Sequence, residues 1–197
     1  DLHNIRLFAE QNNLRIIEDA AHAFGSTFNK LPVGSTGDIC CFSFDAIKNI
    51  TSGEGGCIVS KNKSVLSKVK NIRSLGIEKD TLKRFSKKQT WDFDVKTQGW
   101  RYHMSDIMAA IGRVQLQRRE ELAETRQYLA KLYFEKLSIN KRIVSILKNF
   151  DLVVPHIFPI RILNLNNRNS LRKTLFEKGI ETGVHYVPNH KLTLYLS

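Results

Sequence analysis

Lys48 lies shortly past the β-rich run GDICCFSF and just ahead of Gly53, Gly55 and Gly56, so it is expected on a loop leaving the end of a strand. A lysine that forms a Schiff base with a carbonyl must be partly unprotonated, and desolvation or a neighbouring cation provides for that. Asp19 directly follows the short apolar run 15–18, which places a carboxylate at the C-terminal mouth of a strand, where ligands gather in α/β sheets. His22 and Ser43 add an imidazole and a hydroxyl nearby. Each residue also has a plainer reading. Lys48 alone is surface charge beside a turn, Asp19 a helix cap or turn residue, His22 a satisfied core histidine and Ser43 an ordinary strand serine. Glu18 should point away from Asp19 and serve structure.

These side chains need a sheet edge and shaped loops to hold them. Short β pieces are expected over 27–33 and 38–44, with another strand over 57–60 after the glycine-rich turn. The first role of Gly53, Gly55 and Gly56 is to shape the loop after Lys48. Glu54 between them is either structural or turned to substrate. Val65, Leu66, Val69 and Ile72 recur at helical spacing over 63–75, and Gly76 is placed to stop that helix. Residues 77–98 read as a long polar surface loop. Ser105 is placed to cap one long helix over 106–137. Beyond it, 152–163 reads as an edge strand marked by Pro155 and Pro159, 169–178 as a helix stopped by Gly179, and 180–186 as a strand. The chain thus divides into 1–104, a connecting helix over 105–137, and an incomplete α+β unit over 138–197.

A 42% apolar, 25% charged composition without any 18-residue apolar run is that of a globular protein, and no membrane partner is expected. The formal charge of +12 admits nucleic acid or a phosphorylated ligand as partner. The basic residues are dispersed without regular aromatic interleaving, so solvated surface and help in attracting a diphosphate are expected, and nucleic acid is not. Cys40, Cys41 and Cys57 have no paired framework or metal-type spacing, and reduced thiols in a cytoplasmic protein are expected. The first residues read as the tail of a helix without an initiator Met or signal peptide, and HKLTLYLS ends without a cap, so both ends are expected to be cut.

Taken together, EDAAHAFG, GDICCFSFDAIKNITSGEGG, GWRYHMSDIMAAIGRVQL, IFPIRI and GIETGVHYVPNH resemble the DegT/DnrJ/EryC1/StrS family of pyridoxal-phosphate (PLP) sugar aminotransferases. The resemblance spans the chain in the right order. It implies a partial fold-type I α/β large domain, lacking its N-terminal part, joined to a truncated α+β small domain. It makes Lys48 the cofactor-bearing lysine, sets Asp19 against the pyridine nitrogen, His22 beside the ring and Ser43 on the phosphate. In GWRYHM, Arg101 stands where the family often has an Asn that reaches the partner subunit's cofactor phosphate. An arginine fork can still bind phosphate, and a purely interfacial role is equally open. His185, Tyr186 and His190 fall in a motif near the active-site entrance and become substrate-contact candidates. The two histidines lack a carboxylate or thiol companion, so no metal is expected.

The implied activity moves an amino group, with glutamate the expected donor, onto a nucleotide-linked keto-sugar, in a homodimer, for amino-sugar and surface-polysaccharide synthesis. The family's missing N-terminal portion would normally cradle the phosphate and stack on the ring. A non-catalytic fragment or interaction module of the same shape is therefore the alternative. The dehydratase branch of the family carries His in place of the lysine, and Lys48 argues against it.

Overall fold

The computed structural model describes residues 2–35, 37–77 and 94–196. Strand β1 (Ile17–Asp19) runs parallel to β4 (Ile39–Ser43), with Ile17 opposite Ile39 and Asp19 opposite Cys41. β5 (Gly56–Val59) pairs antiparallel with β4 and completes a sheet of order β1-β4-β5. Cys40 on the central strand is 1% exposed, whereas its neighbour Cys41 is half-buried on the other face, as alternation requires. All three cysteines are free. Burial pushes the Cys40 thiol up to about 11, so it acts as a packing group rather than a nucleophile.

Helix α1 (Leu2–Gln11) precedes β1, and Asn13 ends it in the left-handed region (φ 52°) while Leu14 N–H returns to the Ala9 carbonyl. Arg6 of α1 pairs with Glu18 at 3.0 Å, which assigns Glu18 to holding helix against sheet, as expected. The β piece expected over 27–33 is a hairpin: β2 (Thr27–Phe28) and β3 (Leu31–Pro32) are joined by Asn29 and Lys30, both at positive φ. Two consecutive left-handed residues match the twist of a two-residue hairpin.

Helix α2 (Lys63–Ile72) begins at Asn62, whose Oδ1 accepts from Ser64 and Val65 N–H, and ends earlier than Gly76. Residues 78–93 of the expected surface loop lie outside the described residues; near its ends Ile77 is bridged to Val95. The single long helix expected over 106–137 is two, α3 (Asp106–Gln117) and α4 (Arg119–Ser138). Ser105 does cap α3, accepting from Met108 N–H. At the break, Arg118 N–H is shared between the Val114 and Gln115 carbonyls and its guanidinium forks onto Glu121. No Pro or Gly marks this position, so the apolar pattern runs through it.

The strand expected over 152–163 shortens to β7 (Ile160–Ile162), which pairs antiparallel with β6 (Ile143–Ser145), a strand not anticipated. Pro155 and Pro159 have no N–H to donate, and several of the other backbone groups bond outside any sheet. Val154 N–H donates to Ser26 Oγ at 2.9 Å, Thr27 N–H to the Leu152 carbonyl at 2.7 Å, and Asn49 Nδ2 to the Val154 carbonyl at 2.9 Å. This docks the stretch before β7 onto the loops that flank the sheet. Phe150 and Val154 are buried there, and Phe134 of α4 meets Phe150 edge-on at 5.6 Å. Helix α5 (Arg168–Glu177) is capped by Asn167 and stopped by Gly179 at φ 77°. The strand expected over 180–186 does not form: Ile180 N–H is used by the Leu175 carbonyl in the helix stop, and the segment pairs with no strand among the described residues.

Ser26 is 6% exposed, and its hydroxyl is the partner of a buried backbone N–H. Ser26→Ala leaves Val154 N–H unsatisfied and should lower stability by about 1–3 kcal/mol in urea unfolding. A change under about 0.3 kcal/mol would show that the docked stretch is not held by this bond.

Candidate active site

Because β1 and β4 are parallel, both leave the sheet at the same edge, and the residues that follow them meet there. After Ser43 the chain makes a closed loop: Phe44 N–H bonds the Gly55 carbonyl, and the Phe44 carbonyl receives Ser52 N–H at 2.9 Å and Thr51 Oγ1 at 3.2 Å. Within it, Asp45 accepts from Ile47 N–H at its side chain and from Lys48 N–H at its carbonyl, a tight turn that presents Lys48. Asn49, Ile50 and Ser52 are buried and anchor the loop, while Lys48 stays half-buried above them. Gly55 takes φ 133°, and Gly56 lies so close to the Phe42 carbonyl that a Cβ would sit 2.5 Å from its oxygen. Only glycine permits that return.

Lys48 Nζ lies 2.9 Å from His22 Nε2. His22 comes from the turn after β1, where Asp19 Oδ1 accepts Ala21 N–H at 3.0 Å and Ala20 N–H bonds the Cys41 carbonyl of β4. Asp19 keeps its other oxygen without a partner among the described residues, on an exposed carboxylate at the strand mouth. Ser43 ends β4 and its Oγ accepts Asp45 N–H at 3.3 Å, which leaves its own hydroxyl hydrogen available. The structure therefore brings Asp19, His22, Ser43 and Lys48 to one edge of the sheet.

Two residues that the sequence did not single out complete this edge. His156 packs on His22 with ring centroids 4.1 Å apart and planes tilted by 33°, and its Nδ1 is sealed from solvent with no partner among the described residues. Arg126 of α4 donates to the carbonyls of Lys48, Pro155 and His156 at 3.3–3.4 Å. Burial lowers the His22 pKa, the nearby Lys48 and His185 add to this, and Asp19 opposes it. His156 falls to about 4, through burial first and then His22, Lys48, Arg126 and His185. Both imidazoles are thus neutral near pH 7. The only hint in the sequence is that His156 sits among residues with strong apolar character.

His185 belongs to the surroundings of His22 and His156 by its electrostatic effect on both, and it meets Tyr186 edge-on at 4.7 Å between centroids. Tyr186 is 70% exposed. His190 lies in a short 3-10 turn, Asn189–Lys191, exposed to solvent, and no contact joins it to the Lys48 cluster among the described residues. Arg101 is placed elsewhere, by a backbone bridge to Ser74 after α2, and is exposed, while its sequence neighbours Trp100 and Tyr102 stack on each other with ring centroids 6.3 Å apart. Among the described residues there is no group of His, Cys, Asp and Glu able to hold a metal, and no helix long and apolar enough to cross a membrane.

The donor set suits pyridoxal phosphate: an amine on a shaped loop, a carboxylate with a free oxygen at the strand mouth, a serine hydroxyl at the next strand end, and a buried imidazole nitrogen lacking a partner. A transaminase of Campylobacter jejuni for UDP-4-amino-4,6-dideoxy-N-acetyl-beta-L-altrosamine is 33% identical over 99% of this chain and 50% of its own length. An uncharacterized protein of Methanocaldococcus jannaschii is 34% identical, over 99% of this chain and 52% of that protein. Helicobacter pylori PseC, an aminotransferase in pseudoaminic acid biosynthesis, superposes with a TM-score of 0.88 at 26% identity, covering 99% of this chain and 51% of that one. A sugar aminotransferase of Streptococcus pneumoniae, described as putative and solved in its PMP form, gives 0.83 at 30% identity, over 96% and 50%. The chain spans about half the length of these relatives, and the partial fold-type I architecture expected for it is the one they share. The family model matches from residue 1 to residue 197, and the chain belongs to the DegT/DnrJ/EryC1/StrS aminotransferase family.

Proposed function

We propose that this chain carries the central catalytic edge of a PLP-dependent aminotransferase that moves an amino group from glutamate to a nucleotide-linked keto-sugar, in amino-sugar and surface-polysaccharide synthesis. The observation behind this is the convergence of Lys48, His22, Asp19 and Ser43 at the shared exit of two parallel strands. When bound, the cofactor supplies an electron sink for the substrate carbon that loses its proton.

The chain's own residues do the rest. Lys48 Nζ anchors the cofactor covalently and, once released, carries the proton from one carbon to another as base and then acid. Asp19 holds a proton on the pyridine nitrogen through its free carboxylate oxygen. Ser43 donates its hydroxyl to the phosphate, and His22 orients the amine. His185 and Tyr186 are assigned to the substrate side of the edge, with His190 further out. Arg101, exposed after α2, is assigned to a partner subunit's cofactor phosphate in a homodimer. In this reading 1–104 is the cofactor-binding unit and 138–197 the smaller one, with 105–137 between them. The excess of positive charge draws in a diphosphate-bearing substrate.

Glutamate-dependent amination of a panel of nucleotide keto-sugars tests the reading. Lys48→Ala should abolish amination while the circular dichroism spectrum stays that of the wild type. Asp19→Asn should still bind PLP but lower kcat about 10²–10³-fold, since size is kept and charge removed. Near-normal amination by Asp19→Asn would make Asp19 a turn residue and turn the pyridine nitrogen away from it.

A further inference from the structure

We infer that His156 is a positioning residue for the lysine: packed on His22 and offering no acceptor to its own Nδ1, it fixes the His22 imidazole with Nε2 turned to Lys48 Nζ and brings no second positive charge there. This role presupposes Lys48 as the covalent anchor.

His156 is delivered by a stretch that is held by bonds other than its own stacking on His22. Val154, two residues earlier, is buried, donates to Ser26 Oγ and receives Asn49 Nδ2, and Arg126 grips the Pro155 and His156 carbonyls. An imidazolium needs an acceptor at both nitrogens. With Nδ1 sealed and partnerless among the described residues, protonation of His156 would bury an unsatisfied N–H, so the ring stays neutral. The groups facing it, His22, Lys48, Arg126 and His185, are all potential cations, which acts in the same direction. His22 faces Lys48 and His185, with Asp19 the one carboxylate beside it among the described residues.

The consequence is a defined proton step. A neutral His22 with its Nε2 lone pair toward Lys48 takes a proton from the ammonium, the N–H electron pair staying on Nζ as the free amine. A charged His22 cannot do this. His156 therefore sets the pH below which the amine stops being released.

The test follows imidazole resonances by NMR in the full chain without PLP. Wild-type His22 should titrate below 6.5, the ordinary value, and His156→Phe, which keeps a neutral ring, should leave it there. His156→Gln, neutral but without the ring, should return His22 toward 6.5 and move the acid limb of PLP attachment to higher pH by the same interval. An ordinary His22 in the wild type, or equal His22 values in His156→Phe and His156→Gln, overturns the inference. Stability gives a second readout. His156 titrates near 6.5 when unfolded and about 4 when folded, so the unfolded chain binds more protons between these values. Wild-type stability should fall as pH drops through that window, and His156→Phe should show a shallower fall, keeping only the part that His22 contributes; equal slopes contradict the neutral ring. A wild type that never attaches PLP defeats the function proposed above, while the His22 titration still judges His156.

Discussion

Parallel strands deliver their following residues to the same edge of a sheet, and the pairing of Ile17–Asp19 with Ile39–Ser43 is the constraint on which this site depends. Had β4 run the other way, Asp19 and Lys48 would leave at opposite ends, with the strand's full length between them. With the observed register, Asp19 lies opposite Cys41, the turn that carries His22 starts at once, and the loop that carries Lys48 opens after Ser43. The sheet lends the site only the last residue of each of these two strands, Asp19 and Ser43. It fixes distances.

The second requirement is closure behind the site. Lys48 and His22 are each on loops, and loops alone are poor at holding a 2.9 Å contact. The docked stretch 152–156 supplies the missing wall through bonds to Ser26, Thr27 and Asn49, and Arg126 ties that wall to the Lys48 carbonyl from a helix. Burying the Arg126 guanidinium lowers its pKa, a sign of the desolvation it accepts in that place, and three carbonyls compensate it.

What could be read in advance follows from how local each signal is. Asp19, His22, Ser43 and Lys48 lie within or beside short motifs whose strands and glycine turn are encoded nearby, and Ser105 and Gly179 act as caps within a few residues of their own helices. His156 and Arg126 escaped because their roles come from long-range contacts: Arg126 meets Lys48 across 78 positions, and Asn49 meets Val154 across 105. The stretches over 152–159 and 180–186 have strand-like composition, yet the N–H groups of Leu152 and Val154 go to side chains, that of Ile180 goes to a helix stop, and Pro155 and Pro159 have none. β-propensity expresses fit to a partner edge, and these stretches found other partners. The break at Arg118 has no breaker residue, so periodicity passes over it.

The central claim is that one lysine of the chain, Lys48, is the residue to which the cofactor is joined. Incubating the full chain with PLP, reducing with borohydride and mapping the digested peptides by mass spectrometry tests it directly, because reduction makes the attachment permanent. A pyridoxyl label confined to the peptide containing Lys48 is the expected result. A label on any other lysine, or none on Lys48 under conditions that saturate binding, would contradict the account.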